Sequence, residues 1–203
     1  MINADINNTA QVQDEIEKLI SSDAFISMAF AGAEIPNYIL PYPAEKQAEY
    51  NRMAQNLKEK LILKGIRTIN INMYDEEISI LQSNGSGTLD DYLQADDLSK
   101  DDLFEDFSNI LDINSVFAPH IADLIDGSGA KMVFFSGLGE AYPFIRMHSL
   151  LESLPVYMRT RKPIVVFYPG SYDKETGNSC FRLFGRLKPV NYYRAFNIFT
   201  EVN

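Results

Sequence analysis

The sequence predicts an α/β fold: a mostly parallel sheet of four or five strands flanked by helices, with Rossmann-like or P-loop-like topology but no P-loop. Three observations predict it. Residues 131–151, KMVFFSGLGEAYPFIRMHSLL, read as a buried strand, a glycine turn and the opening of a helix. A second continuous apolar run, PIVVFY at 163–168, reads as another strand covered on both faces. An amphipathic helix at 44–64 leads into the alternating RTININM at 67–73. In the first of these units Gly137 and Gly139 let the backbone turn. Pro143 suits the first helical position, and Phe144, Met147, Leu151 and Leu154 follow on one helical face. The turn lies at the carboxyl end of a strand, where open α/β sheets bind ligands.

In chain order, Thr9 can cap a helix carrying Val12, Ile16, Leu19 and Ile20. Residues 24–31 are apolar and read as a loop or short strand, and YILP at 38–41 as a first strand. The helix at 44–64 places Tyr50, Met53, Ala54, Leu57 and Leu61 on one stripe. Glu45 and Glu49 lie near its start and Lys58, Lys60 and Lys64 near its end, as its dipole prefers. Gly65 is a stop signal. In RTININM, Ile69, Ile71 and Met73 face one way and Asn70 and Asn72 the other. Asp75 opens a short helix ended by Asn84-Gly85. An acidic helical insert spans about 88–126, with capping-box spacing at Thr88/Asp91 and Ser99/Asp102. PIVVFY closes at Pro169-Gly170, a last strand follows at 180–187, and the conformation of 191–199 stays open. One domain over 1–203 is the expected organisation.

The net charge of −10 conceals a split. Residues 1–130 hold 8 Lys and Arg against 23 Asp and Glu, a balance of −15; residues 131–203 hold 10 against 5, a balance of +5. The acidic part argues against wholesale nucleic-acid binding, and the basic part keeps a local version of it. One cysteine, Cys180, excludes an internal disulfide, and with only His120 and His148 it makes a zinc site improbable. No secretory signal opens the chain and no apolar run reaches transmembrane length, so the expected address is the cytoplasm, with no membrane partner.

Chemical signals are sparse. The turn SGLGE is an incomplete dinucleotide fingerprint: Tyr142 occupies the third glycine position, and Glu140 brings negative charge where phosphate would sit. No G-x-x-x-x-G-K-[ST] is present, and SNGSGT at 83–88 matches one only in composition. Arg146 and His148, two positions apart, point to different faces of a helix and so form no compact site on it alone. Arg146 is expected to hold a carboxylate such as Glu140 or Glu152. His148 reads as a hydrogen-bonded structural residue, His120 as a surface or capping residue, and Cys180 as core. The paired aspartates lack calcium-loop spacing. Arg182, Arg186, Lys188 and Arg194 interleave with Phe184, Tyr192 and Tyr193, a mixture suited to a protein interface or to RNA stacking, the protein interface being favoured. No cofactor, metal or catalytic set is expected.

Four blocks, FFSGLGEAYPFIRMHSLLESL, PIVVFYPGSY, LFGRL and NYYRAFNIF, occur in this order, and together they resemble the BrxB family of bacteriophage-exclusion (BREX) defence systems. The most telling is GxGExYPFIRxH, carried by Gly137, Gly139, Glu140, Tyr142, Pro143, Phe144, Ile145, Arg146 and His148. The resemblance covers 133–199, with GIRTININMYD similar to the family's first half. It implies a small component of a multiprotein antiphage system that pairs an adenine methyltransferase with the ATPase BrxC and the alkaline-phosphatase-like PglZ. It implies no catalytic residues, and a non-enzymatic adaptor contacting PglZ or BrxC. Two further readings stand beside it: a nucleic-acid-binding accessory using the C-terminal third, and a cryptic nucleotide-binding protein or hydrolase around Glu140, Arg146 and His148.

Overall fold

A computed structural model describes residues 2–27, 37–83, 89–94, 99–175, 178–188, 190–191 and 195–199. Its frame is a run of parallel strands in the order β2-β3-β4-β1-β7: β1 Asn37–Tyr42, β2 Thr68–Asn72, β3 Met132–Ser136, β4 Ile164–Glu175 and β7 Ala195–Asn197. Two strands lie off this path, β5 Asn178–Leu183 and β6 Val190–Asn191, both antiparallel. The expected mostly parallel α/β sheet is what the chain forms.

Strand alternation divides the core in two. Tyr38, Leu40, Tyr42, Met132, Phe134, Val165 and Phe167 face α1 (Thr9–Ile20) and α3 (Gln47–Leu63). Ile39, Val133, Phe135, Ile164, Val166 and Tyr168 face α4 (Met73–Ser83), α7 (Ala118–Ser128), α8 (Leu138–Ala141) and α9 (Met147–Tyr157). A strand buried on both sides cannot alternate in polarity, which is why MVFF and IVVFY are continuously apolar. β2 is the edge of the order, so its Ile69 is only half-buried, and of its asparagines Asn72 accepts from the nearby Tyr74 amide and Asn70 from Ser136 on β3. The α3 stripe is buried as expected, and Gly65 ends the helix at φ +79°.

Local expectations shift in several places. Asn8, not Thr9, caps α1, accepting from the Gln11 amide; the Thr9 hydroxyl donates to Glu49 instead. Residues Asp23–Ile26 form one helical turn, α2, capped by Ser22, where a loop or strand was expected; 28–36 and the end signal Asn84-Gly85 lie outside the described residues. A 3₁₀ turn, Ala44–Lys46, precedes α3. β4 does not close at Pro169-Gly170. It exchanges its parallel partner β1 for the antiparallel β5, and a Cβ on Gly170 would collide with the Arg182 carbonyl. Leu187 lies beyond the last long strand, because Phe184 and Gly185, both at positive φ, turn the chain after Leu183.

The acidic insert forms α5 (Leu89–Gln94) and α6 (Lys100–Ile110), then a π-helical turn, Ile113–Phe117. The Ser99 hydroxyl accepts from the Asp102 amide, so Ser99 caps α6, but the Asp102 carboxylate takes its bond from the Ser99 hydroxyl and not from the backbone amide that a full capping box would use; Thr88 lies outside the described residues. No residue of α6 is fully buried. It is held by ring contacts, Phe104 and Phe107 both against Phe144 and Phe107 against Tyr92. His120 is no cap: its Nε2 lies 2.7 Å from Glu76, tying α7 to α4. Cys180 is buried, as expected.

Glu77, on the buried side of α4, is 4% exposed, and its Oε2 has no hydrogen-bond partner among the described residues. Burial pushes its carboxyl up to about 7, from an ordinary 4.5. Between those values the folded chain keeps a proton that the unfolded chain releases, so stability is greatest below the lower value and declines as pH rises to the upper one. In Glu77→Gln that decline is absent. Denaturant unfolding across this range should show the variant gaining roughly 2–3 kcal/mol on the wild type from acid to neutral pH.

Candidate functional site

The site begins where β3 ends. The Ser136 hydroxyl donates to Asn70 across the β2–β3 ladder, and Gly137 then turns at φ 72°, ψ 15° to start α8. A Cβ at Gly137 would overlap the Asn72 carboxamide, which itself accepts from the Tyr74 amide and so starts α4. Gly139, inside α8, faces Gln47 and Phe184: a Cβ there would overlap the Gln47 carboxamide. The cradle that the glycines leave is filled by two side chains of this chain. Glu140 accepts a hydrogen bond from Asn51 Nδ2 at 3.2 Å, so it ties α8 to α3.

The β1–α3 turn, where a strand–loop–helix phosphate site places its glycines, is Pro43 followed by the Ala44–Lys46 turn. The open depression beside it, about 790 Å³, includes Asp5 and Glu45 in its lining, charges that repel phosphate.

Pro143 is not at the first position of a helix. α8 ends at Ala141, Tyr142 is extended, the Tyr142–Pro143 peptide is cis, and α9 starts only at Met147. The intervening turn has packing reasons of its own: Ile145 is buried, Phe144 meets the rings of α6, and Tyr142 sets its edge against Phe184 at 5.8 Å. Met147, Leu150, Leu151 and Leu154 then carry the buried face of α9.

Because Arg146 is extended (φ −104°, ψ 116°) and stands before the helix, the expected separation from His148 does not hold. Both line one cavity of about 300 Å³, with Tyr142 and Lys188. Its walls are Leu138, Ile145, Met147, Tyr168, Leu183 and Leu187. Arg146 pairs with neither Glu140 nor Glu152: it forms no ion pair among the described residues, Glu140 being engaged with Asn51. Burial lowers the His148 pKa first; Glu152 one turn on raises it, and Arg146 lowers it. The neutral imidazole is therefore favoured.

Arg186 is exposed in the turn beside the cavity but does not line it. Tyr192, Tyr193 and Arg194 lie outside the described residues. Sequence reasoning did not pick out Tyr168, Leu183 or Leu187 for the site, nor Asn72 and Gln47 for the glycines. Their contacts are long-range, and no local pattern marks them. Among the described residues no group of three His, Cys, Asp or Glu could hold a metal ion, and no helix is long and apolar enough to cross a membrane.

Fold and turn together define an α/β protein whose central glycine turn is packed with its own side chains. The family model for "BREX protein BrxB" matches residues 69–198. A BREX protein BrxB of Bacillus cereus (strain H3081.97) is 28% identical over 196 residues, covering 91% of this chain and 94% of that protein. One of Escherichia coli O9:H4 (strain HS) is 26% identical over 192 residues, covering 91% and 88%. No solved structure matches. The chain belongs to the BrxB family of BREX phage-defence proteins.

Gly137→Ala should cost about 2 kcal/mol, from the left-handed backbone plus displacement of Asn72. Gly139→Ala should cost about 1 kcal/mol, and less in a Gln47→Ala background. Chemical denaturation of the single and double variants measures both.

Proposed function

We propose that the chain is a non-enzymatic docking subunit of a BREX antiphage assembly, contacting PglZ, BrxC or both. The observation that carries this reading is the division of labour within the family motif. Gly137, Gly139, Glu140, Phe144 and Ile145 are used up in packing and internal hydrogen bonds. Tyr142, Arg146 and His148 open onto a largely apolar groove beside an exposed basic turn. Tyr and Arg over an apolar floor are the residue types that protein interfaces favour. The space freed by the two glycines is taken by Asn72 and Gln47, which supports packing of this chain's own side chains as the reason for the glycines.

Affinity purification of the tagged chain from a host carrying the operon should recover PglZ or BrxC. Arg146→Glu should lower the recovered amount at least about tenfold, an interface charge reversal costing a few kcal/mol. Lys18→Glu, on α1, should leave it unchanged. Recovery of neither partner by the wild type would overturn the reading.

A further inference from the structure

We propose that the groove at the head of α9 receives an acidic linear segment of a partner protein, its carboxylates on Arg146 and Lys188 and an adjacent apolar side chain on the floor. This rests on the docking reading and names the chemistry of what docks.

Charge is the first argument. The chain carries −10 overall, and among the described residues Lys18 pairs with Glu15, Lys60 and Lys64 with Glu17, and Lys162 with Asp126. Arg146 and Lys188 are both exposed, line the same cavity, and form no ion pair among the described residues. Among the described residues no Asp or Glu lines that cavity, whereas the neighbouring depression includes Asp5 and Glu45. Two adjacent hollows at the same end of the sheet therefore differ in sign, and an anionic segment is directed to one of them.

The second argument is the helix. Among the described residues no side chain caps the eleven-residue α9, since its N-cap is Arg146, whose side chain can accept nothing. Its first-turn amides and the positive end of its dipole add to the two cations. Arginine can hold a carboxylate through two parallel N–H bonds, and lysine supplies a point charge beside it.

The third argument is the floor. Leu138, Ile145, Leu183 and Leu187 leave apolar surface that a free phosphate would not cover, while a side chain such as Leu or Phe would. A peptide that pairs acidic with apolar residues satisfies rim and floor together. A nucleic acid would have to approach a chain whose first 130 residues carry −15.

Selection from a short random-peptide library on the wild-type chain, counter-selected on Arg146→Glu/Lys188→Glu, tests the inference. Recovered peptides should carry Asp or Glu beside an apolar residue. A synthetic copy, followed by fluorescence polarisation, should lose at least about tenfold in affinity to Arg146→Ala/Lys188→Ala, with unchanged thermal melting, and should weaken in high salt. Recovery of neutral or basic peptides, no enrichment over the charge-reversed variant, or equal binding by the alanine variant would overturn it. So would displacement of the peptide by a short single-stranded DNA or by inorganic phosphate at lower concentration than unlabelled peptide. Recovery of PglZ or BrxC without an acidic consensus sinks this assignment and leaves the docking reading standing; an acidic consensus without either partner does the reverse.

Discussion

The structure turns on a close approach between two backbones and one side chain: Asn72, at the end of the edge strand, fills the space where Gly137 would carry a Cβ. Only a residue without a side chain can stand there, and the left-handed turn it adopts suits the same residue. That contact ends β3 and starts α8, and the same asparagine starts α4 through the Tyr74 amide. Everything downstream inherits the direction it sets. The Tyr142–Arg146 turn, the start of α9 and the groove between α9 and the β5 turn all follow from where α8 points.

The turn after α8 serves two neighbours at once. Phe144 stacks on Phe104 of the acidic helix α6 at 5.3 Å, while Tyr142 meets Phe184 beyond β5. The acidic insert and the turn after β5 are thus both fastened to the same five residues. Ring contacts of this kind contribute about 0.5–1.5 kcal/mol each beyond the area they bury. α6, with no fully buried residue, depends on them more than the other long helices do.

The elements driven by periodicity were legible from the order of residues alone. Continuous apolar runs at 132–135 and 164–168 specified doubly covered strands, and the stripe from Tyr50 to Leu61 specified α3. Burial dominates these elements, and burial leaves its period in the sequence whatever the neighbours are. The glycines, Glu140 and the motif were visible for a different reason: they are residue types that admit few alternatives.

Tertiary structure decided the rest, and it did so through contacts between residues far apart in the chain. Arg146 and His148 share a cavity because packing of Phe144 and Ile145 delays α9 until Met147, which no helical wheel drawn from Pro143 could show. Glu140 belongs to Asn51 of α3, leaving Arg146 without the carboxylate a local reading assigns it. Lys188 and Leu187 reach the groove because positive φ at Phe184 and Gly185 bends the chain out of β5. Side-chain partners across a sheet are selected by chain direction and free volume. Neither quantity is a property of a local stretch of sequence, so both had to be read from the folded chain.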